Sequence, residues 1–129
     1  MDRRTRRLVV AALLVLGPAL LSMPAATAAN GKKTIAVGDN FYKANKITVF
    51  VGDKVTWTFT GRAIHDVVVD TGPAKFQSKK RSYGYKFSKV LQKPGVYRIV
   101  CTLHPGMSMK ITVKALPVPT TTTLVPPAT

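Results

Sequence analysis

Cys101, His104 and Met107 fall within the seven residues Cys101-Thr102-Leu103-His104-Pro105-Gly106-Met107, which put a thiol, an imidazole and a thioether into one turn of chain. A thiolate, two imidazoles and a weak thioether form the trigonal donor set that suits copper in electron transfer. The sequence has 2 histidines, and the other one, His65, stands upstream to complete that set. The expectation is a single copper ion cycling between Cu(I) and Cu(II), held by His65, Cys101, His104 and Met107. Zinc also accepts thiolate and imidazole, but a thioether beside an isolated thiolate favours copper.

Each of these residues has a plainer reading when taken alone. A buried cysteine is usually inert, a histidine can be a satisfied core residue, and a methionine can simply pack. None of these readings accounts for the shared spacing. Cys101 is the only cysteine, so the chain forms no intramolecular disulfide, and a lone thiol in an exported protein calls for burial, reactivity or a metal.

The elements that must position these donors read as short strands separated by turns, with no window of helical period. Expected strands run over Thr34 to Val37, Lys46 to Val51, Lys54 to Thr60, Ile64 to Val69, Tyr83 to Phe87, Val96 to Leu103 and Met109 to Ala115. The interval from Thr71 to Ser82 is irregular, with room for a short helix or an extra strand. This spacing predicts an all-β, antiparallel sandwich of about seven or eight strands. Alternation places Tyr97, Ile99 and Cys101 on one face and Arg98 on the other, so Cys101 points inward at the end of a core strand. Val55, Trp57 and Phe59 share an inward face and belong to the core. Pro105 stiffens the chain after the imidazole, and Gly106 permits the bend that returns Met107 over the site.

The ordered motifs Gly52-Asp53-Lys54-Val55-Thr56-Trp57, His65 within a strand, Gly95-Val96-Tyr97, and Cys101 to Met107 followed by Lys110-Ile111-Thr112-Val113 resemble the plastocyanin and amicyanin family of cupredoxins. The resemblance covers about residues 33 to 115. It implies an exported Greek-key sandwich that carries one electron between larger redox partners, with His65, Cys101 and His104 as equatorial ligands and Met107 as the axial one. The ligand loop is of the short, amicyanin kind. Met109 occupies the place of the axial sulfur in a plastocyanin-length loop, but counting back from Lys110 favours Met107, leaving Met109 to pack at the rim. Asp66 replaces an asparagine common in the family. Its backbone N–H is the expected donor to the Cys101 thiolate, and its carboxylate is expected on the outward, solvated face.

Residues 1–28 read as a secretory signal peptide, with Arg3, Arg4, Arg6 and Arg7 before the apolar run from Leu8 to Leu21 and a cleavage site at Ala26-Thr27-Ala28. Cleavage near Ala28 would deliver the protein to the periplasm, cell envelope or extracellular space, by Sec or Tat. The apolar run is interrupted by Gly17-Pro18, so no membrane span is expected in the mature chain. Residues 29–115 are expected to form the copper-binding domain, and 116–129 a disordered tail rich in proline and threonine.

The net charge is +15, and removing the four arginines and one aspartate of the leader leaves 16 basic and 4 acidic residues, or +12. Such a field steers a protein toward an acidic partner. The charges are scattered through Lys32-Lys33, Lys79-Lys80-Arg81 and single lysines without a nucleic-acid motif, so nucleic acid is not an expected partner. The leading reading is therefore a monomeric electron carrier that meets an acidic redox protein transiently, such as a c-type cytochrome or an oxidase domain. A copper carrier or sink in the envelope is the alternative. An enzyme is not expected: one cysteine excludes a thiolate-bridged binuclear centre, and two histidines are too few for a three-copper cluster.

Overall fold

The computed structural model describes residues 30–118; the leader and most of the tail expected above lie outside the described residues. Eight strands form β1 (Lys32–Gly38), β2 (Phe41–Tyr42), β3 (Lys46–Phe50), β4 (Lys54–Phe59), β5 (Val68–Thr71), β6 (Lys86–Val90), β7 (Gly95–Val100) and β8 (Ser108–Lys114). They build two four-stranded sheets, ordered β2-β1-β4-β6 and β3-β8-β7-β5. The expected all-β sandwich is therefore present, and among the described residues there is no helix.

The sheets are mixed, whereas antiparallel pairing was expected throughout. β1 runs parallel to β4, with Ile35 opposite Trp57, and β3 runs parallel to β8, with Ile47 opposite Ile111. The other four pairings are antiparallel. Strands of either sense alternate with period two, so the hydrophobic pattern cannot tell the pairings apart. The chain changes sheets between β2 and β3 and again between β3 and β4, so that β4 returns beside β1 in the same direction, while β3 is joined in its own direction by the last strand, β8.

Packing follows the alternation. Val55, Trp57 and Phe59 of β4, Tyr97 and Ile99 of β7, and Met109, Ile111 and Val113 of β8 are all buried. Trp57 is the centre of an aromatic group, with its ring 5.9 Å from Phe76 and 5.7 Å from Phe87. Such tilted contacts add to the area that the rings bury. Phe76 comes from the irregular interval, which beyond Thr71, the last residue of β5, contains neither a helix nor a named strand. It is held instead by single pairings such as Val68 with Gln77 and by the bond from Val69 N–H to the Phe76 carbonyl.

Three expected strand limits are displaced for local reasons. Tyr83 is 75% exposed and is followed by Gly84 at φ +87°, so the strand starts only at Lys86. Ile64 to Val67 stay outside β5 because consecutive residues His65, Asp66 and Val67 are all buried, which an alternating strand with one wet face does not allow. β7 stops at Val100, ahead of the turn that carries Leu103.

Asp53 fixes the end of the sandwich remote from the cysteine loop. Its carboxylate accepts the Gly31 N–H at 2.8 Å and the Phe50 N–H at 2.9 Å, joining the start of β1 to the β3–β4 turn. A Cβ on Gly31 would stand 2.6 Å from Asp53 Oδ1, so glycine lets the carboxylate lie this close against the backbone. Asp53→Ala removes a charged acceptor from two backbone donors and should cost about 2 kcal/mol. Chemical denaturation should therefore show an earlier midpoint with an unchanged slope, and the visible spectrum of the copper-loaded protein should not change.

Candidate metal centre

Cys101 is the first residue beyond β7, and its buried sulfur lies at the rim of the sandwich. The last pair of the β7–β8 ladder is Val100 with Ser108, so the intervening loop must reverse direction immediately. It does so by two backbone bonds, Cys101 N–H to the Met107 carbonyl at 3.0 Å and Met107 N–H to the His104 carbonyl at 3.1 Å. Gly106 sits at φ +86°, in the left-handed region that favours glycine, and makes the bend possible.

Within this loop His104 turns its Nδ1 toward the thiol, 3.5 Å from Cys101 Sγ. His65 approaches from the segment between β4 and β5, with its Nδ1 3.9 Å from the same sulfur and its side chain fully buried. The two imidazole rings are 4.6 Å apart and tilted by 42°. One ligand atom from each of His65, Cys101 and His104 falls within 4.8 Å of the others. Two nitrogens and a sulfur without a carboxylate form a donor set that fits copper, and two of its three members are closed to water.

The methionines differ in setting. Met107 is buried inside the loop, next to the donors in sequence and bonded through its backbone to both Cys101 and His104. Met109 is buried as a strand residue of β8 opposite Ile99; both methionines pack against the hydrophobic core, and they differ in that Met107 belongs to the loop and Met109 to the ladder.

Contrary to expectation, His65 does not stand within a strand; a two-way backbone pairing with Arg81 holds it, His65 N–H to Arg81 O at 2.8 Å and Arg81 N–H to His65 O at 2.9 Å. Asp66 departs further from expectation. It is buried, and its carboxylate accepts the Thr102 N–H at 2.7 Å and the Thr102 hydroxyl, tying the His65 segment to the cysteine loop. The outward placement rested on alternation, which does not operate before Val68. The bonds that reach Cys101 Sγ come from the two imidazoles, and the expected one from the Asp66 N–H is not among them.

Two further residues at the site carry no sequence signal. Tyr42 donates its hydroxyl to the Asp66 carbonyl at 2.6 Å. Burial pushes its pKa up, and the negative charges of Cys101 and Asp66 push the same way, so the phenol stays a donor. Asp39, in the β1–β2 turn, brings Oδ1 to 3.2 Å from His65 Nε2 across 26 residues of sequence and accepts the Ala63 N–H at 2.9 Å. The Ala63 amide, with the His65 ring second, holds its carboxyl below the usual range.

Residues 29–115 match the family model for copper binding proteins of the plastocyanin/azurin family. Amicyanin-alpha from Methylorubrum extorquens is 26% identical over 91 residues, which cover 65% of this chain and 73% of that protein. Among solved structures, reduced amicyanin in a tryptophan-to-tyrosine variant is similar at a TM-score of 0.59 and 26% identity, covering 69% of this chain and 88% of that one. A copper-containing nitrite reductase from Thermus scotoductus SA-01 is similar at a TM-score of 0.62 and 26% identity over 67% of this chain, which spans only 23% of the reductase. A buried thiol facing two imidazoles at the rim of an eight-stranded sandwich agrees with the family match, and the chain belongs to the plastocyanin/azurin family of copper-binding proteins.

Proposed function

We propose that His65, Cys101, His104 and Met107 would hold one copper ion, and that the protein is an exported one-electron carrier between redox partners. One observation carries this reading: of the three clustered donors, His65 and Cys101 are buried and only His104 reaches partial exposure. A bound copper ion supplies a one-electron couple between Cu(I) and Cu(II). The chain's own part is to keep the donors where they are in both states. Backbone pairing to Arg81 holds His65, and the bonds within the loop hold Cys101 and His104. Burial of the thiol and of one imidazole keeps water off the donor set.

The single open edge also defines the contact surface. Leu103 is 40% exposed and lies beside exposed Pro105 and Gly106, an apolar rim around the His104 ring. Small apolar contacts of this kind serve complexes that must form and separate quickly. Lys79, Lys80 and Arg81 are exposed beside the centre, since Arg81 pairs with His65. Together with the charge of +12 they suit an acidic partner, such as a c-type cytochrome or an oxidase domain. A copper sink would need donors open to exchange, whereas here two of three are enclosed. Both histidines of the sequence are used at this one centre, which leaves none for a second copper site of the kind an enzyme would require. No helix among the described residues is long and apolar enough to cross a membrane. Export rests on the leader at 1–28, cleaved near Ala28.

Residues 29–129 loaded with copper should show an intense visible band from thiolate-to-copper charge transfer, and Cys101→Ser should abolish it. A colourless protein that binds one equivalent of copper would refute the assignment.

Met107→Leu should raise the reduction potential and alter the spectrum, because losing a weak donor disfavours the oxidised ion more than the reduced one. Met109→Leu conserves core volume, so it should leave the potential in place and cost less than about 1.5 kcal/mol of stability. A larger potential shift in the Met109 variant would transfer the axial role to that residue.

Electron exchange with an acidic partner should slow about tenfold or more between 0.01 M and 0.1 M salt, as the screening length falls from ~30 Å to ~10 Å. Charge reversal of Lys79, Lys80 and Arg81 should flatten that dependence, whereas Leu103→Asp should slow exchange at every salt concentration. Stopped-flow rates for the three proteins distinguish the two contributions.

A further inference from the structure

We infer that Asp39 is a positioning residue for the metal centre, whose carboxylate fixes the tautomer and orientation of His65 and strengthens its Nδ1 as a donor. The inference rests on the reading that His65 is a ligand.

The two nitrogens of the His65 ring face different groups. Nδ1 is turned to Cys101 Sγ at 3.9 Å, inside the donor cluster, and Nε2 is 3.2 Å from Asp39 Oδ1. A nitrogen that offers its lone pair to a metal carries no proton, so the neutral ring carries its proton on Nε2 and donates it to the carboxylate. A full negative charge on the far side of that N–H draws the proton outward and enriches electron density at Nδ1. A metal-bound imidazole whose outer N–H meets a carboxylate is both oriented and made more basic. The stronger donor stabilises Cu(II) more than Cu(I).

The surroundings of Asp39 hold this contact in place. The segment 60–63 folds over the β1–β2 turn, with the N–H groups of Thr60 and Gly61 both bonded to the Val37 carbonyl. The Ala63 N–H then bonds the same Asp39 oxygen that meets His65. A Cβ on Gly61 would lie 2.3 Å from Asp39 Oδ1 and 2.7 Å from its backbone nitrogen, so the close approach depends on glycine at that position. His65 is fully enclosed while Asp39 is about half exposed (51%), so the carboxylate links the buried ring to the surface.

Asp39→Asn separates charge from geometry, because the amide oxygen still accepts from Ala63 and from His65 Nε2. Copper affinities of wild type, Asp39→Asn and Asp39→Ala would be measured in both oxidation states by competition titration, together with the reduction potential and the melting temperature of the metal-free proteins. The expected result is a Cu(II) affinity about 10-fold lower in the asparagine variant and up to about 100-fold lower in the alanine variant. Cu(I) affinity should change little. A tenfold selective loss of the oxidised ion corresponds to a rise of about 59 mV for one electron. Metal-free Asp39→Asn should melt close to wild type, since the loop keeps its acceptor.

A wild-type measurement supports the same point without any variant. In the Cu(I) protein, the His65 Nε2 proton should appear as a slowly exchanging, downfield signal in nuclear magnetic resonance. An unchanged potential in Asp39→Asn, or the lack of that protected proton in wild type, overturns the inference. His65→Ala is the control for the reading beneath it. If that variant keeps the visible band and the Cu(II) affinity, His65 is not a ligand and the proposed centre fails. If it loses both while Asp39→Asn matches wild type, only the role of Asp39 fails.

Discussion

The β7–β8 ladder ends at Val100 and Ser108, and the bond from Cys101 N–H to the Met107 carbonyl closes the loop beyond it. This closure fixes the direction of the Cys101 side chain and leaves only a short arc in which His104 can turn back toward the sulfur. A longer or looser connection would let the imidazole swing into water. The ladder itself is rigid because Tyr97, Ile99, Met109 and Ile111 pack into one core with Trp57 and Phe59. The loop geometry is thus set by the interior of the sandwich.

The second half of the site has no ladder to rely on. His65, Asp66 and Val67 are buried in succession, and a buried segment outside a strand must find partners for its backbone groups elsewhere. It finds them one by one: His65 pairs with Arg81, the Asp66 carbonyl accepts the Tyr42 hydroxyl, and the Val67 N–H bonds Ser78 Oγ at 2.9 Å while its carbonyl accepts the Ser78 N–H. The Asp66 carboxylate then bonds Thr102 and links this segment to the cysteine loop. The two sources of donors are therefore cross-linked by the protein's own hydrogen bonds, independently of any ion. A preset donor geometry suits a centre that must change charge without rearranging.

The same economy appears in the charges. All four aspartates among the described residues have partners: Asp39 holds His65 and Ala63, Asp53 holds Gly31 and Phe50, Asp66 holds Thr102, and Asp70 meets Arg98 at 3.2 Å. Three of the four accept backbone N–H groups, so acidic residues here serve mainly to join segments. The 16 basic residues face so few carboxylates that the surface field is strongly positive.

The cysteine loop, the core faces of β4 and β7, and the all-β class could be read from the sequence. Each depends on local periodicity or on ligands packed into a few residues, and both survive in a linear string. Tertiary structure alone decided the rest. The parallel pairings of β1 with β4 and β3 with β8 leave no mark on a two-residue period. The burial of Asp66 follows from a segment that abandons that period just where His65 must turn inward. Asp39 meets His65 across 26 residues and Tyr42 meets Asp66 across 24, contacts that depend on how the β1–β2 turn sits over the β4–β5 segment. The sequence by itself determined which atoms could bind a metal, because donor chemistry belongs to residue types. Only the fold decided which groups stand behind those donors, because long-range hydrogen bonds depend on how distant segments cross.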